Sequence, residues 1–301
     1  MKSTMKSSDM LESSSTQPVA TSAVSTQDRL KLEISSSPVF SEKNSDFTDV
    51  SSDILSKFIF YDFDTLSIKP FGVSSLRKIM RGIFNKSLKF FVEALSECLP
   101  PDISAYDLTP ADFWALMYWE RFNSYKKRTQ VPVEFICKSS KHLNLVADGI
   151  ADDKSYRQRI YISSGSKIKI DFIDADAVIA KVQAIADEYG IYLNAPRMRD
   201  SLEIESLIEE VPEEEKADFI WLATVASCIS PVYGKTLQER MTKIEEDNLH
   251  PDLLMEIIDF SRMTNSYGIS ESVEAACEVC GTSTKVDFVL DAFNFFPDNN
   301  G

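Results

Sequence analysis

Histidine is nearly missing from this chain, with two in 301 residues, and neither lies in a nucleophile motif. There is no HExxH pair, no phosphate-binding GxxxxGK[ST] loop and no glycine-rich dinucleotide turn. Metalloprotease, nucleotide-hydrolysing and dinucleotide-dependent chemistries therefore find no support, and the chain is expected not to be an enzyme. No apolar run approaches the ~20 residues that cross a bilayer, which argues against a membrane span. The opening MKSTMKSSDMLESSSTQP is polar throughout and lacks the apolar core of a secretion signal, so the expected location is cytoplasmic. Five cysteines are too few for a disulfide scaffold. Basic charge is also short: 32 Lys and Arg face 47 Asp and Glu, a net charge of −15. Such a surface repels phosphates, so neither nucleic acid nor an anionic membrane is an expected partner.

What is present is globular. Apolar residues make up 44% and charged residues 26%, and the length suits one or two domains with a real core. Residues 1–52 stand apart, rich in Ser and Thr, with no Gly, Trp or Tyr. They cannot bury enough apolar surface to offset their ordering entropy and read as a disordered arm, either a solvated tail or a tether that orders on a partner. The remainder divides into an α+β half over 53–173 and a helical half over 174–301.

The segment KFIFYDFDTLSIKPF (57–71) alternates polar and apolar residues and reads as one or two strands. Ser74 or Ser75 then caps a single helix whose apolar face is Leu76, Met80, Ile83, Leu88, Phe91 and Leu95. Its other face is basic, through Arg77, Lys78, Arg81, Lys86 and Lys89. That face is either simply solvated or a dock for an acidic segment. After Pro100 and Pro101, Thr109 caps a helix with Pro110 at its first position and Asp112 in its first turn. A strand over 130–136 pairs with one over 142–146, and 156–173 reads as a hairpin turning at Ser163 to Ser166. Helices follow over 174–189 (ended by Gly190), 217–229, 235–246 and 251–263. Seven glutamates lie in 203–215 in two clusters, and those at 209–215 read as a contiguous solvated run rather than two carboxylates placed across a cleft. Cys98 and Cys228 fall in apolar helical patterns and read as small buried hydrophobes.

Two stretches repeat, 108–137 and 249–277. Pro110 and Pro251 each lie 11 residues before an Arg, at Arg121 and Arg262. Asn-Ser-Tyr follows at 123–125 and 265–267, and Val-Glu-x-x-Cys closes each stretch at Cys137 and Cys277. The repeated unit is a Pro-started helix, then a strand that delivers a cysteine to a turn, then a second strand: HLNLV after Cys137 and KVDFVL after Cys277. Cys277-Glu-Val-Cys280-Gly281 has the form of a metal knuckle, with Gly281 free to take a positive φ. A structural zinc needs four ligands, and Cys137 with His142 would complete a Cys₃His set with Cys277 and Cys280. The alternative is a vestigial turn of reduced thiols. A redox role fits less well, since such motifs open a helix. His250 reads as a capping residue.

The order of these pieces resembles the baseplate hub subunit and hub-assembly family of contractile-tailed, T-even-type bacteriophages. The resemblance runs through TLSIKPFGVSSLRKI (65–79), ECLPPDISAYDLTPADFWALMYWERFNSY (97–125), ASCISPVYG (226–234), CEVCG and the terminal FNFFP (293–297), with Ser140 in place of a second cysteine and the arm lying outside it. It implies a structural or assembly role in the tail, binding other hub and tail proteins, in the host cytoplasm during assembly and in the virion baseplate. Candidate contacts are Arg77, Lys78 and Arg81 on the basic face and Phe293, Phe295 and Phe296 at the terminus, where the phenylalanines either form an interface or pin the chain end into the core. A zinc-ribbon nucleic-acid-binding regulator is the rival reading, and the net charge opposes it. The expected fold is α+β, mostly helical with small antiparallel hairpins and two repeated helix–strand–cysteine-turn units.

Overall fold

A computed structural model describes residues 47–124, 131–162, 170–269 and 272–287. The fold over these residues is α+β and mostly helical, with nine α-helices and four separate two-stranded antiparallel sheets. Strand β1 (Thr48–Asp49) pairs with β2 (Ser67–Ile68). Helices α1 (Val73–Asn85), α2 (Leu88–Ser96) and α3 (Pro110–Asn123) follow. Strand β3 (Val131–Ile136) then pairs with β4 (Arg157–Ile162), and helix α4 (Ser140–Ala147) is inserted between them. Strand β5 (Ile170–Asp171) pairs with β6 (Gly268–Ile269) across helices α5 (Ala175–Tyr189), α6 (Met198–Leu207), α7 (Lys216–Ser227), α8 (Leu237–Glu246) and α9 (Pro251–Asn265). Strands β7 (Ser272–Ala276) and β8 (Ser283–Asp287) close the fold as a hairpin.

Helix α3 organises the packing. Thr109 caps it by accepting from the Asp112 N–H, and Pro110 fills the first position, where no N–H is needed. Asp112 is fully buried, and its two oxygens are shared among four donors. Oδ1 accepts from the backbone N–H groups of Leu55 (2.8 Å) and Ser56 (3.0 Å). Oδ2 accepts from the hydroxyls of Tyr61 (2.6 Å) and Thr109 (3.0 Å). Tyr267, the tyrosine of the second repeat, lies 3.2 Å from the Thr109 hydroxyl. One carboxylate thus ties the entering chain, the first repeat's helix and, through Thr109, the chain just past the second repeat's helix.

Two apolar cores flank this knot. The first gathers Ile79, Leu95, Phe113, Leu116 and Val131 with Val273, Cys277 and Val286 from the last hairpin. The second gathers Val178, Ile185, Ala226, Leu237, Ile257 and Phe260 with Leu55 and Ala115 from upstream. Each core therefore draws on chain from both sides of residue 173. Helices α6, α7 and α8 are fastened by Arg240, buried at 3% exposure, which donates to the Ala226 and Gly234 carbonyls and to Asp200. A side chain at Gly234 would stand 2.8 Å from the Arg240 nitrogen, so the close approach needs glycine.

Several expectations need correction. Residues 48–50 belong to the fold and not to the arm: β1 pairs with β2, and Val50 is fully buried. Residues 1–46 lie outside the described residues. The segment 57–71 is mostly turns, because Lys57 and Phe58 take positive φ (51° and 62°) and Phe58, Tyr61 and Phe63 gather ring against ring. The single helix is two, broken where Lys86 turns left-handed (φ 50°), and Gly82 lets Phe91 of α2 lie against α1. Its N-cap is Gly72, while Ser74 and Ser75 donate to Glu97. The 142–146 strand is helix α4, whose inward residues His142 and Leu145 are three apart. Consequently β4 pairs back to β3 instead of forming a hairpin with the chain that follows it. The turn at 163–166 lies outside the described residues. The expected helices over 174–189 and 251–263 are present, ended by left-handed Gly190 and begun by the capping His250 respectively.

Two measurements follow. Asp112→Ala strands two buried N–H groups and two hydroxyls, and should cost about 3–5 kcal/mol in urea denaturation. Glu120 is fully buried in α3, with Oε2 accepting from the Phe71 N–H (3.0 Å) and the Ser124 hydroxyl (2.6 Å), and Oε1 has no partner among the described residues. Burial pushes its carboxyl up to about 7, against the opposing pull of those two bonds. The folded state therefore holds this proton more tightly than the unfolded chain. The stability it confers is complete below about pH 4.5 and is lost as pH rises through 7. Unfolding free energy measured at pH 5 and pH 8 should fall across that interval by on the order of 3 kcal/mol more in the wild type than in Glu120→Gln.

Candidate metal centre

The repeated unit delivers its cysteines to one place. Strand β3 runs into Cys137, whose N–H still pairs with the Tyr156 carbonyl at 2.9 Å. Strand β7 runs into Cys277, and the turn that follows is closed by the Gly281 N–H on the Cys277 carbonyl (2.8 Å) and the Cys277 N–H on Thr282 (3.0 Å). Gly281 sits at φ +69°, as the turn demands. The second thiol, Cys280, comes back over the first, and its own N–H points at the Cys277 sulfur (3.5 Å).

The first repeat has no second cysteine, and α4 supplies the replacement. Ser139 caps α4 by accepting from the His142 N–H (3.2 Å), which fixes His142 in the first turn with its ring turned inward. His142 is fully buried. Its Nδ1 lies 3.2 Å from the Cys277 sulfur, and its Nε2 lies 2.9 Å from the Ser155 hydroxyl. Ser155 gives its own proton to the Asp152 carbonyl, so its oxygen accepts from His142 Nε2–H. That chain sets the tautomer: the proton sits on Nε2, and the Nδ1 lone pair faces the thiols.

The side-chain donors of Cys137, His142, Cys277 and Cys280 all lie within 4.8 Å of one another, and all four residues are buried. Cys137 and Cys280 sulfurs are 3.8 Å apart. Two thiolates held about 2.3 Å from one tetrahedral ion stand roughly 3.8 Å apart, so this separation is already that of a ligand edge. The arrangement could hold a metal ion, and the four residues are those expected from the sequence.

The surroundings favour thiolate at Cys277 and Cys280 and oppose it at Cys137. Burial pushes the Cys277 thiol up, but the N–H groups of Cys280 and Val279 with the Cys280 and Gln158 side chains outweigh it and hold it down to about 7. Ser139 and Thr282 hydrogen bonds lower Cys280, while burial raises Cys137. Cys98 and Cys228 contrast with these: burial pushes both up to about 12, in keeping with inert core thiols.

Gln158 of β4 was not singled out from the sequence, yet it joins the two halves of the site. It donates to the Cys277 sulfur (3.0 Å) and accepts from the Glu278 N–H (2.9 Å). Ser155 was missed too, because nothing in the sequence shows that β4 returns beside β3. Ser139 was legible in principle, as a serine three residues before a helical His142. His250 caps α9 and takes no part. Of the candidate contacts, Arg77 and Arg81 are exposed on α1, and Lys78 is held by Glu97 at 2.8 Å. Phe293, Phe295 and Phe296 lie outside the described residues. A cleft of about 420 Å³ lies elsewhere, but Arg197, Arg199 and Arg240 on its wall are already engaged by protein groups.

Ser155 acts through His142 and is a positioning residue. Ser155→Ala should weaken metal binding about 10–100-fold in competition with a chromophoric chelator, with secondary structure retained, and Ser155→Thr should restore it. Compared with known proteins, the chain matches no family model, no curated protein and no solved structure.

Proposed function

We propose that this chain is a non-enzymatic structural component or assembly factor of a contractile phage tail's baseplate hub, built around a structural zinc and acting by protein–protein binding. The observation that carries the reading is the closed Cys137, His142, Cys277 and Cys280 cluster. Three sulfurs and one imidazole suit zinc, and four protein donors leave no open coordination position for substrate or water. A site of that kind holds a fold together and does not perform chemistry. The sequence resemblance to the hub family supplies the biological setting, and the paired helix–strand–cysteine units are what such a scaffold would use to present fixed surfaces. No described helix is long and apolar enough to cross a membrane.

The experiment is quantitative mass spectrometry of purified virions, tail intermediates and infected-cell lysate. The reading expects peptides of this chain in tail intermediates, retained in particles at fixed low stoichiometry if it is a building block and lost from them if it is an assembly factor. Absence from both intermediates and particles would overturn it. Electrophoretic mobility shift at moderate salt addresses the zinc-ribbon regulator, for which a shift at micromolar protein is required.

A further inference from the structure

Charge is distributed unevenly along this acidic chain. Between Asp64 and Glu93 there are six basic residues and no acidic one. Between Ser201 and Ala223 the reverse holds: Glu203, Glu205, Glu209, Glu210, Glu213, Glu214, Glu215 and Asp218 face a single Lys216. The fold turns most of both biases outward, except that Glu203 accepts from the Leu237 and Gln238 N–H groups and Glu205 from the Leu88 N–H, and each outward patch lies beside exposed apolar side chains.

On α1, the inward face is Ser75, Ile79 and Gly82. The outward face carries Val73, Met80 and Phe84, exposed at 70%, 37% and 75%. Positions 73, 77, 80, 81 and 84 follow the helical repeat down one side, so Arg77 and Arg81 stand within the apolar stripe, and Lys86 and Lys89 extend it. All four basic residues are exposed, and none makes an ion pair among the described residues. Exposed apolar residues at this spacing, flanked by one sign of charge, are the pattern of a docking face.

The complementary surface is at the start of α7. Glu209, Glu210, Glu213, Glu214 and Glu215 are exposed, and among the described residues only Glu213 of these is in an ion pair, with Lys216. Ile220 and Trp221 beside them are exposed at 45% and 46%. A tryptophan left half in water next to an acidic run matches an arginine-rich stripe that carries a free phenylalanine, both in charge and in its capacity for cation–π and apolar contact.

We infer that the α1 face and the acidic surface at the start of α7 dock onto each other between two copies of this chain. The contact is heterologous, joining different patches, so it builds rings if the rotation closes. The inference does not depend on the metal site. A helix of 13 residues is about 20 Å long, so one such contact falls short of the roughly 800 Å² per partner of a standard interface. Single contacts are therefore weak and salt-sensitive, and closure of a ring reinforces them.

Sedimentation velocity of the full chain at about 100 mM and about 500 mM salt tests this, since screening shortens the reach of exposed charges. Self-association is expected at the lower salt and its loss at the higher. Arg77→Glu with Arg81→Glu should give a monomer, as should Glu213→Lys, Glu214→Lys and Glu215→Lys together. Mixing the two charge-reversed proteins should restore assembly, because each reversed patch meets its new complement. That recovery also shows that both variants are folded. Phe84→Ser should weaken association about tenfold without altering charge. A wild type that stays monomeric at both salts, association that ignores the reversals, or a mixture that fails to reassociate would overturn the proposal. So would a monomer whose Arg77 and Arg81 bind anionic phosphatidylserine vesicles, which would assign the face to a membrane.

Discussion

Four side chains bring together parts of the sequence that are otherwise far apart. Cys137 and Cys280, 143 positions apart, touch at their sulfurs, and His142 and Cys277 fill the space beside them. Everything between those positions, including α5 to α9, is a closed loop once the cluster is joined. The entropy of closing a loop grows only as the logarithm of its length, so one strong junction can hold a long excursion. The rest of the packing agrees with that closure. Val273, Ala275 and Val286 of the last hairpin sit in the same core as Phe113 and Val131 of the first repeat.

Asp112 supports the junction from the opposite side of the repeat. It fixes the start of α3, and Thr109 beside it takes the hydroxyl of Tyr267, so the two repeats meet at the helix cap as well as at the cysteine turns. Gln158 and Ser155 carry the same order into the Cys137, His142, Cys277 and Cys280 cluster. One gives a hydrogen bond to Cys277 and the other orients His142. A cluster held in this way has its four donors already in place, an arrangement that could hold a metal ion.

Much of this was legible in the sequence where local chemistry decides structure. Thr109-Pro110 and His250-Pro251 start helices because proline needs no N–H there and the preceding residue can cap. Gly190 and Gly281 take the positive φ that ends a helix or closes a knuckle. The repeat, together with the CEVCG knuckle, pointed to all four residues of the candidate metal cluster. What failed was decided by contacts that a segment's own periodicity does not carry. The aromatic run 57–71 alternates as a strand should, yet it turns at Lys57 and Phe58, directly after Leu55 and Ser56, whose N–H groups donate to Asp112, 57 and 56 positions away. The segment HLNLV carries strand-like alternation, and Ser139 converts it into a helix by capping. The break at Lys86 depends on Phe91 reaching the bare backbone of Gly82, a contact that no periodicity in α1 announces.

The proposed hub role calls for a rigid body, and the proposed zinc would supply rigidity where the two repeats meet. The most direct test is the metal content and thermal stability of the protein purified without added metal or chelator. The account predicts one zinc per chain by inductively coupled plasma mass spectrometry. It also predicts that stripping with a strong chelator lowers the melting midpoint by about 10 °C or more, the shift that roughly 4 kcal/mol produces in a domain of this size. A metal-free chain with an unchanged midpoint, and no zinc uptake on titration, would contradict it.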